Sequence, residues 1–387
     1  MADTKINTIA AVTGLHEELA SRAAEMDDAR RLPADLAATL ARAGLFRMVV
    51  PSQYGGLELS PREIVETIEA VSIANASAGW CVMIGATTAL NAAYMDPVFA
   101  AEIYGDTAAI TGGVFAPMGK ATPDGDDFIV SGRWQWGSGS ANCTWLCGGA
   151  VITEGDDIRR LENGAPDARM MVFPAGQAEL HDTWHVAGLK GTGSGDISVE
   201  SIRVPKGRSV SLVTDTPNVD GALYTFPAFG LLALGVASVA LGNARGALRA
   251  IKSLAQSKRP QGSSKTLSEK QIVQVEVSKL EAALRSARAY LMDEIEQTWA
   301  VAQKTGAIPL ERRADLRLAC THMVRTSAEV TRGTYDLGGG AALFLNNELQ
   351  RRLRDAHAMT QHVSTAPATY EQTGRILLGL KTDGGMI

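Results

Sequence analysis

Two histidines, His357 and His362, stand five residues apart near the C-terminal end of the chain. Imidazole suits proton traffic at neutrality, because its ordinary pKa of about 6.5 lets it donate and accept there. Their spacing alone is equally that of two unrelated residues at a helix end. His181 and His185 are four apart but fall in strand-like sequence, where a lone pair of histidines is usually structural, so no metal is expected. Cys81, Cys143, Cys147 and Cys320 contain no CxxC pair and are too scattered for a disulfide framework, which fits a reducing compartment. The GxGxG of Gly191-Thr192-Gly193-Ser194-Gly195 runs into the alternating stretch 197–204 and not into a helix. It therefore offers no helix N-terminus to a pyrophosphate, and a dinucleotide-binding βαβ unit is not expected.

The elements that must position these residues follow from the periodicity. A chain of 387 residues with 45% hydrophobic content can bury one large core or two to three smaller ones. From Ile6 to about Tyr104 the apolar spacing is helical, as in Leu36, Leu40, Ala43 and Ile64, Ile68, Val71, punctuated by Pro33, Pro51, Pro61 and Pro97. Between about Ile110 and Val213 short alternating runs such as 128–132 and 197–205 read as antiparallel strands of a small barrel or sandwich, with 154–167 as an exposed hairpin loop. Helical periodicity returns from Tyr224, clearest over 267–299 and 310–337, which is enough for a four-helix bundle. The expected domains are 1–108 all-helical, 109–215 a middle β-barrel and 216–387 a C-terminal bundle and tail: a mainly α fold with a central β domain.

Charge excludes some partners. The 37 basic and 42 acidic residues, net −5, form no dense run, so nucleic acid is not expected, and Arg351, Arg352 and Arg354 read as solvated helix surface. Two uncharged stretches, 70–95 and 221–244, are long enough to span a bilayer, but their Ser and Asn residues or their Gly/Ala density mark them as buried core helices. The leading residues, with Asp3 and Lys5, lack the apolar run of a signal peptide, so a cytoplasmic location without membrane insertion is expected.

Several segments, in order, resemble the acyl-CoA dehydrogenase superfamily over essentially the whole chain: LFRMVVPSQYGGL at 45–57, GRWQWGSG at 132–139, and 188–205 with Thr192 and Ser194 leading to Val204-Pro205. The dehydrogenases remove a substrate α-proton with a Glu, and such a step needs a carboxylate within hydrogen-bond reach. Their pattern puts Val363 at one position for that Glu and a site near Leu232 at the other, in a stretch without any Asp or Glu. LQRRLRDAHAMTQH at 349–362 is instead similar to the LQRxxRDxHxxxQH pattern of the flavin-dependent monooxygenases built on the same fold, and 337–344 resembles their glycine turn.

The resemblance implies an oxygenase component of a two-component monooxygenase, fed reduced FMN or FAD by a separate NAD(P)H:flavin reductase. It would act through a C4a-(hydro)peroxyflavin on a small aromatic substrate, and would assemble as a homotetramer. It implies that Trp136 flanks the isoalloxazine and that the Ser138 hydroxyl or backbone bonds the flavin N5 edge. His362 stands on the oxygen side as proton donor or substrate-orienting base, with His357 as a second catalytic candidate. Thr192, Ser194, Arg259 or Lys258, Gly338 and Gly339 are the remaining cofactor contacts. Asn75, Trp80, Met83 and Tyr94 are expected either to line a substrate pocket between the first domain and the bundle or to pack in the core. An acyl-CoA dehydrogenase with a displaced base, and a non-catalytic family member, are the alternative readings.

Overall fold

The computed structural model describes residues 6–155 and 157–387; Asp3 and Lys5 lie outside the described residues. Helices come first: α1 (Thr8–Ser21), α2 (Ala23–Ala29), α3 (Ala34–Arg42), α4 (Pro61–Ala74), α5 (Ala76–Thr88) and α6 (Pro97–Tyr104). Local sequence sets their starts. Ser60 and Glu63 close a capping box around α4, with Pro61 in the first turn where its missing N–H costs nothing. Asn75 ends α4 and caps α5, its Oδ1 accepting the Ala78 N–H at 3.0 Å. Helix α5 has no polar face and is buried nearly all round, the condition its uncharged sequence requires.

The strands follow as β1 (Thr111–Asp124), β2 (Asp127–Trp134), β3 (Trp145–Glu154), β4 (Asp157–Ile158), β5 (Ala168–Pro174), β6 (Glu179–His181), β7 (Asp196–Pro205) and β8 (Ser209–Val210). They form one sheet in the order β6-β7-β2-β1-β3-β5-β8, with β4 on β3. The hairpin β1–β2 is antiparallel, whereas β1 and β3 pair in parallel through register shifts at Pro117. The end strands β6 and β8 do not pair, so the expected barrel is an incompletely closed one. The sheet nevertheless curls, because β5 touches β7 across three intervening strands. Its interior is filled by Trp134, wholly buried, whose Nε1–H donates to Gly149 O at 2.7 Å. A Cβ on Gly148 would lie 2.3 Å from the indole, so the ring occupies space that only glycine leaves.

The chain then returns to helix: α7 (Ala222–Thr225), α8 (Ala228–Ser257), α9 (Gln271–Thr305), α10 (Leu310–Gly338), α11 (Glu348–Met359) and α12 (Ala368–Leu377). Helix α9 begins later than the apolar period suggests, because Thr266 and Glu269 cap a separate short turn and Lys270 is extended. Helices α8 to α11 make the C-terminal bundle, with α8 at its centre against α4, α5, α10 and α11. Among the described residues α8 is the helix long and apolar enough to cross a membrane, and 89% of its most apolar window is buried in protein. The first helices and the bundle share one core, in which Ile68, Met83, Leu234 and Met323 are continuous, while the sheet keeps its own.

Candidate active site

The segment after Trp134 leaves the sheet through an unusual turn. Trp136 adopts φ +68°, a conformation that bulky residues avoid, and stays 61% exposed. Backbone strain of this kind persists where the surroundings enforce it and concentrates at functional sites. Two residues on, Ser138 is buried and at the head of a chain of hydroxyls. Trp80, on α5, donates Nε1–H to Ser138 Oγ at 3.0 Å. Ser138 Oγ meets Ser194 Oγ at 2.7 Å, Ser194 Oγ meets Thr192 Oγ1 at 2.6 Å, and Thr192 Oγ1 donates to Leu189 O at 2.8 Å. The strand-like GxGxG thus places hydroxyls, not a phosphate cradle: Gly193 takes φ +56° so that Thr192 and Ser194 can share one side of the turn.

His362 stands on the other side of Trp80, the two rings meeting edge to face with centroids 5.6 Å apart. It ends the loop after α11, where its Nδ1 accepts the Ser364 N–H at 3.2 Å. Burial, and then the positive charge of Arg317, hold its pKa down to about 4. The ring is therefore neutral near pH 7, and with Nδ1 engaged as acceptor its proton resides on Nε2, making it a hydrogen-bond donor outward.

The residues before His362 explain its placement. Asp355 accepts the Leu189 N–H at 2.6 Å, and Arg354 donates to Ala187 O at 2.7 Å. A Cβ on Gly188 would fall 2.1 Å from Arg354 O, so the turn and α11 are in backbone contact. Leu189 itself sits at φ +52°, held by its N–H on Asp355 and by its carbonyl, which accepts from Thr192 Oγ1 and from Trp184 Nε1. Burial pushes Asp355 up to about 6 against the pull of the Leu189 N–H. Arg352, expected on the solvated surface, is instead buried: it donates to Ile73 O and pairs with Glu348 while packing over Gly246 of α8. The motif from Leu349 to His362 is thus largely a clamp that fastens the histidine loop to the hydroxyl-bearing turn.

None of the hydrogen bonds to the side chains of Trp80, Ser138, Ser194, Thr192 or His362 involves a carboxylate. The two positions where the family resemblance expects an α-proton base carry Val363, 77% exposed, and Leu232, half-buried, and neither side chain can take a proton. Charge near His362 is positive. Arg317, only 7% exposed, donates Nη1–H to Phe229 O and, among the described residues, has no ion-pair partner and leaves its Nε–H without an acceptor. Arg325, two turns further along α10, donates to Thr360 O and Thr365 O on either side of the histidine. Sequence reasoning missed Arg317, although an arginine inside the apolar run Leu316 to Ala319 was a visible signal.

The other expected residues divide. Thr192 and Ser194 join Ser138 and Trp80. Asn75 caps α5, and Met83 packs against Gly235 of α8. Tyr94 is buried, with its carbonyl accepting from Asn218. His357 is exposed on the last turn of α11 and is not brought to the cluster. Lys258, Gly338 and Gly339 meet elsewhere: Lys258 Nζ donates to Gly338 O at 2.5 Å, and Arg259 is exposed beside them with a bond to Ser264 O. At 1.5 Å per residue along α8, Lys258 is roughly 35 Å from Gly235, which packs on the helix carrying Trp80. Within one chain these are two separate places.

An exposed indole beside a buried serine that retains acceptor capacity fits a flat heterocycle carrying an N–H at its edge, the chemistry of a reduced isoalloxazine. Residues 10–96 match the acyl-CoA dehydrogenase N-terminal domain and residues 234–367 the acyl-CoA dehydrogenase C-terminal domain. Indole-3-acetate monooxygenase of Pseudomonas putida is 33% identical over 362 residues, 93% of this chain and 90% of that protein. The oxygenase component of the FADH(2)-dependent resorcinol hydroxylase of Rhizobium sp. is 28% identical, covering 99% of this chain and 97% of that one. Among solved structures, the HsaA monooxygenase from M. tuberculosis superposes with a TM-score of 0.88 at 25% identity, covering 98% of this chain and 99% of that one. The family matches and these relatives make the chain a flavin-dependent oxidoreductase of acyl-CoA dehydrogenase architecture. More narrowly, the chain belongs to the flavin-dependent monooxygenase branch of that superfamily, and is an oxygenating oxidoreductase.

Proposed function

We propose that the protein is the oxygenase component of a two-component system in which a separate NAD(P)H:flavin reductase supplies reduced FMN or FAD. The observation that carries this reading is the neutral His362 imidazole set against Trp80, which in turn bonds Ser138, with no carboxylate in the constellation. Bound reduced flavin would supply the electrons that activate dioxygen, one oxygen atom entering the substrate and the other leaving as water. Trp136 and Ser138 would hold the ring, Ser138 as acceptor at its N5 edge. His362 holds a donor Nε2–H toward the reacting oxygen, and the apolar walls from α5 and α8 keep water out. With a pKa near 4 it acts as a hydrogen-bond donor, which narrows the broader acid-or-base role its residue type allows.

The substrate is a small arene bearing an acidic group. Arg317 supports this: a buried guanidinium with no anionic partner among the described residues is costly, and a substrate carboxylate would satisfy it. Relatives named for indole-3-acetate, at 33% and 31% identity, agree with that class. The Lys258, Arg259, Gly338 and Gly339 group would serve a cofactor only across a subunit contact, in keeping with a homotetramer in the cytoplasm. The test supplies chemically reduced FMN or FAD, labelled dioxygen, and either indole-3-acetate or indole. One labelled oxygen in the product, with the acid preferred over indole, is the expected result. Flavin bleaching by an acyl-CoA without oxygen, and no labelled product, would reject the reading.

A further inference from the structure

The hydroxyl chain has a direction, and the direction bears on which oxidation state of a flavin the site prefers. Each hydroxyl has one proton to donate. Trp80 Nε1–H can only donate, so Ser138 Oγ accepts at that contact. At the far end, Thr192 Oγ1 donates to Leu189 O at 2.8 Å. With the Thr192 proton committed there, the 2.6 Å contact must be Ser194 donating to Thr192, and the 2.7 Å contact Ser138 donating to Ser194. In this orientation Ser138 has no proton left to offer outward and presents only a lone pair. Reversal is sterically free, because each hydroxyl need only rotate. Thr192 then donates to Ser194, Ser194 to Ser138, and Ser138 outward. No proton changes owner, and the net loss is the bond from Thr192 to Leu189 O. That carbonyl keeps the Trp184 Nε1–H at 3.0 Å, so reversal leaves no orphaned acceptor and stays accessible.

We propose that Thr192, Ser194 and Ser138 form a reversible hydroxyl relay that tunes the site toward a ligand edge bearing an N–H, and so toward reduced over oxidised flavin. The inference rests on the flavin reading above. Reduced isoalloxazine has a hydrogen on N5 and meets the resting orientation of the relay. The oxidised ring has a bare N5 and is bonded only after reversal, at the expense of the Thr192 bond to Leu189. Thr192 and Ser194 are in this sense positioning residues that act through Ser138. Asp355 belongs to the same device, since its bond to the Leu189 N–H fixes the carbonyl on which the resting orientation depends.

One hydrogen bond of net worth sets the scale, so the relay should contribute about a threefold to tenfold preference. Dissociation constants of oxidised FMN and, under anaerobic conditions, of reduced FMN are to be measured for the parent protein and for Thr192→Val, Thr192→Ser and Ser194→Ala. Thr192→Val removes the donor at nearly constant shape. It should lower the ratio of oxidised to reduced dissociation constants by about threefold to tenfold, chiefly by tightening the oxidised form, and Thr192→Ser should restore it. Ser194→Ala, which cuts the relay, should lower the ratio likewise. An unchanged ratio in folded Thr192→Val and Ser194→Ala, both binding reduced FMN as the parent does, overturns the relay while leaving the flavin site intact. Failure of the parent to bind either form overturns both.

Discussion

At His362 the imidazole is kept neutral by burial and by Arg317, while Asp355, seven residues earlier, is pushed up by burial, and the two pull stability in opposite directions with pH. His362 drops to about 4 in the fold from its ordinary 6.5. Between those values the unfolded chain binds more protons, so this contribution to stability is full above the upper value and is lost as pH falls through the window. Asp355 rises from 3.8 to about 6, so here the folded chain binds more protons, and its contribution declines as pH rises through that interval. Relative to the parent, His362→Gln should tilt the unfolding free energy downward with rising pH between 4.5 and 6, and Asp355→Asn should tilt it upward. Each tilt is at most about 1.4 kcal/mol per pH unit. Urea unfolding at three pH values measures both, and parallel curves for all three proteins would contradict the assignments.

Among the elements, α11 is the one whose placement decides the site. It reaches the hydroxyl-bearing turn through Asp355 on Leu189, Arg354 on Ala187 and the backbone approach at Gly188, and it reaches the core through Arg352 on Ile73 and α8. Since the atom nearest a Cβ at Gly188 is a backbone carbonyl, no side chain can move aside. Gly188→Ala should therefore cost about 1–3 kcal/mol of stability, the usual penalty of overpacking. It should also weaken reduced-flavin binding more than a surface substitution such as Lys279→Ala does. Chemical unfolding and anaerobic titration of the same samples separate the two effects, and normal values for both would show that the turn and α11 are not in register-determining contact.

For the whole molecule, the shared core of the first helices and the bundle makes the two ends of the chain one structural unit, with the curled sheet laid against it. Leu343, Phe344 and Leu345 are 68%, 67% and 82% exposed on the turn after α10, an apolar patch that a chain of this composition would be expected to cover. It adjoins Gly338, Gly339 and Lys258, the group that would reach a cofactor only from a neighbouring subunit. Phe344→Asp should accordingly lower the mass of the assembly in light scattering and weaken FAD binding more than FMN binding. An unchanged mass would remove this turn from any subunit contact.

The order of helices, strands and helices was legible from periodicity, because a buried helix face and a half-buried strand impose different spacings on apolar residues whatever surrounds them. The absence of a base at Val363 and near Leu232, and the hydroxyl pair Thr192 and Ser194, could be read from residue types in the same way. Other features needed the fold. Arg352 passed for surface because nothing in the local sequence says that Ile73 lies across from it, and Arg317 was overlooked because its isolation from carboxylates is a property of neighbours distant in the chain. His357 and His362 have the same side chain and lie five residues apart, yet one faces solvent and the other Trp80. Composition and spacing fix what each segment must bury. Which groups then meet, and with what charge and proton direction, depends on contacts between segments far apart in sequence, and only packing in three dimensions decides them.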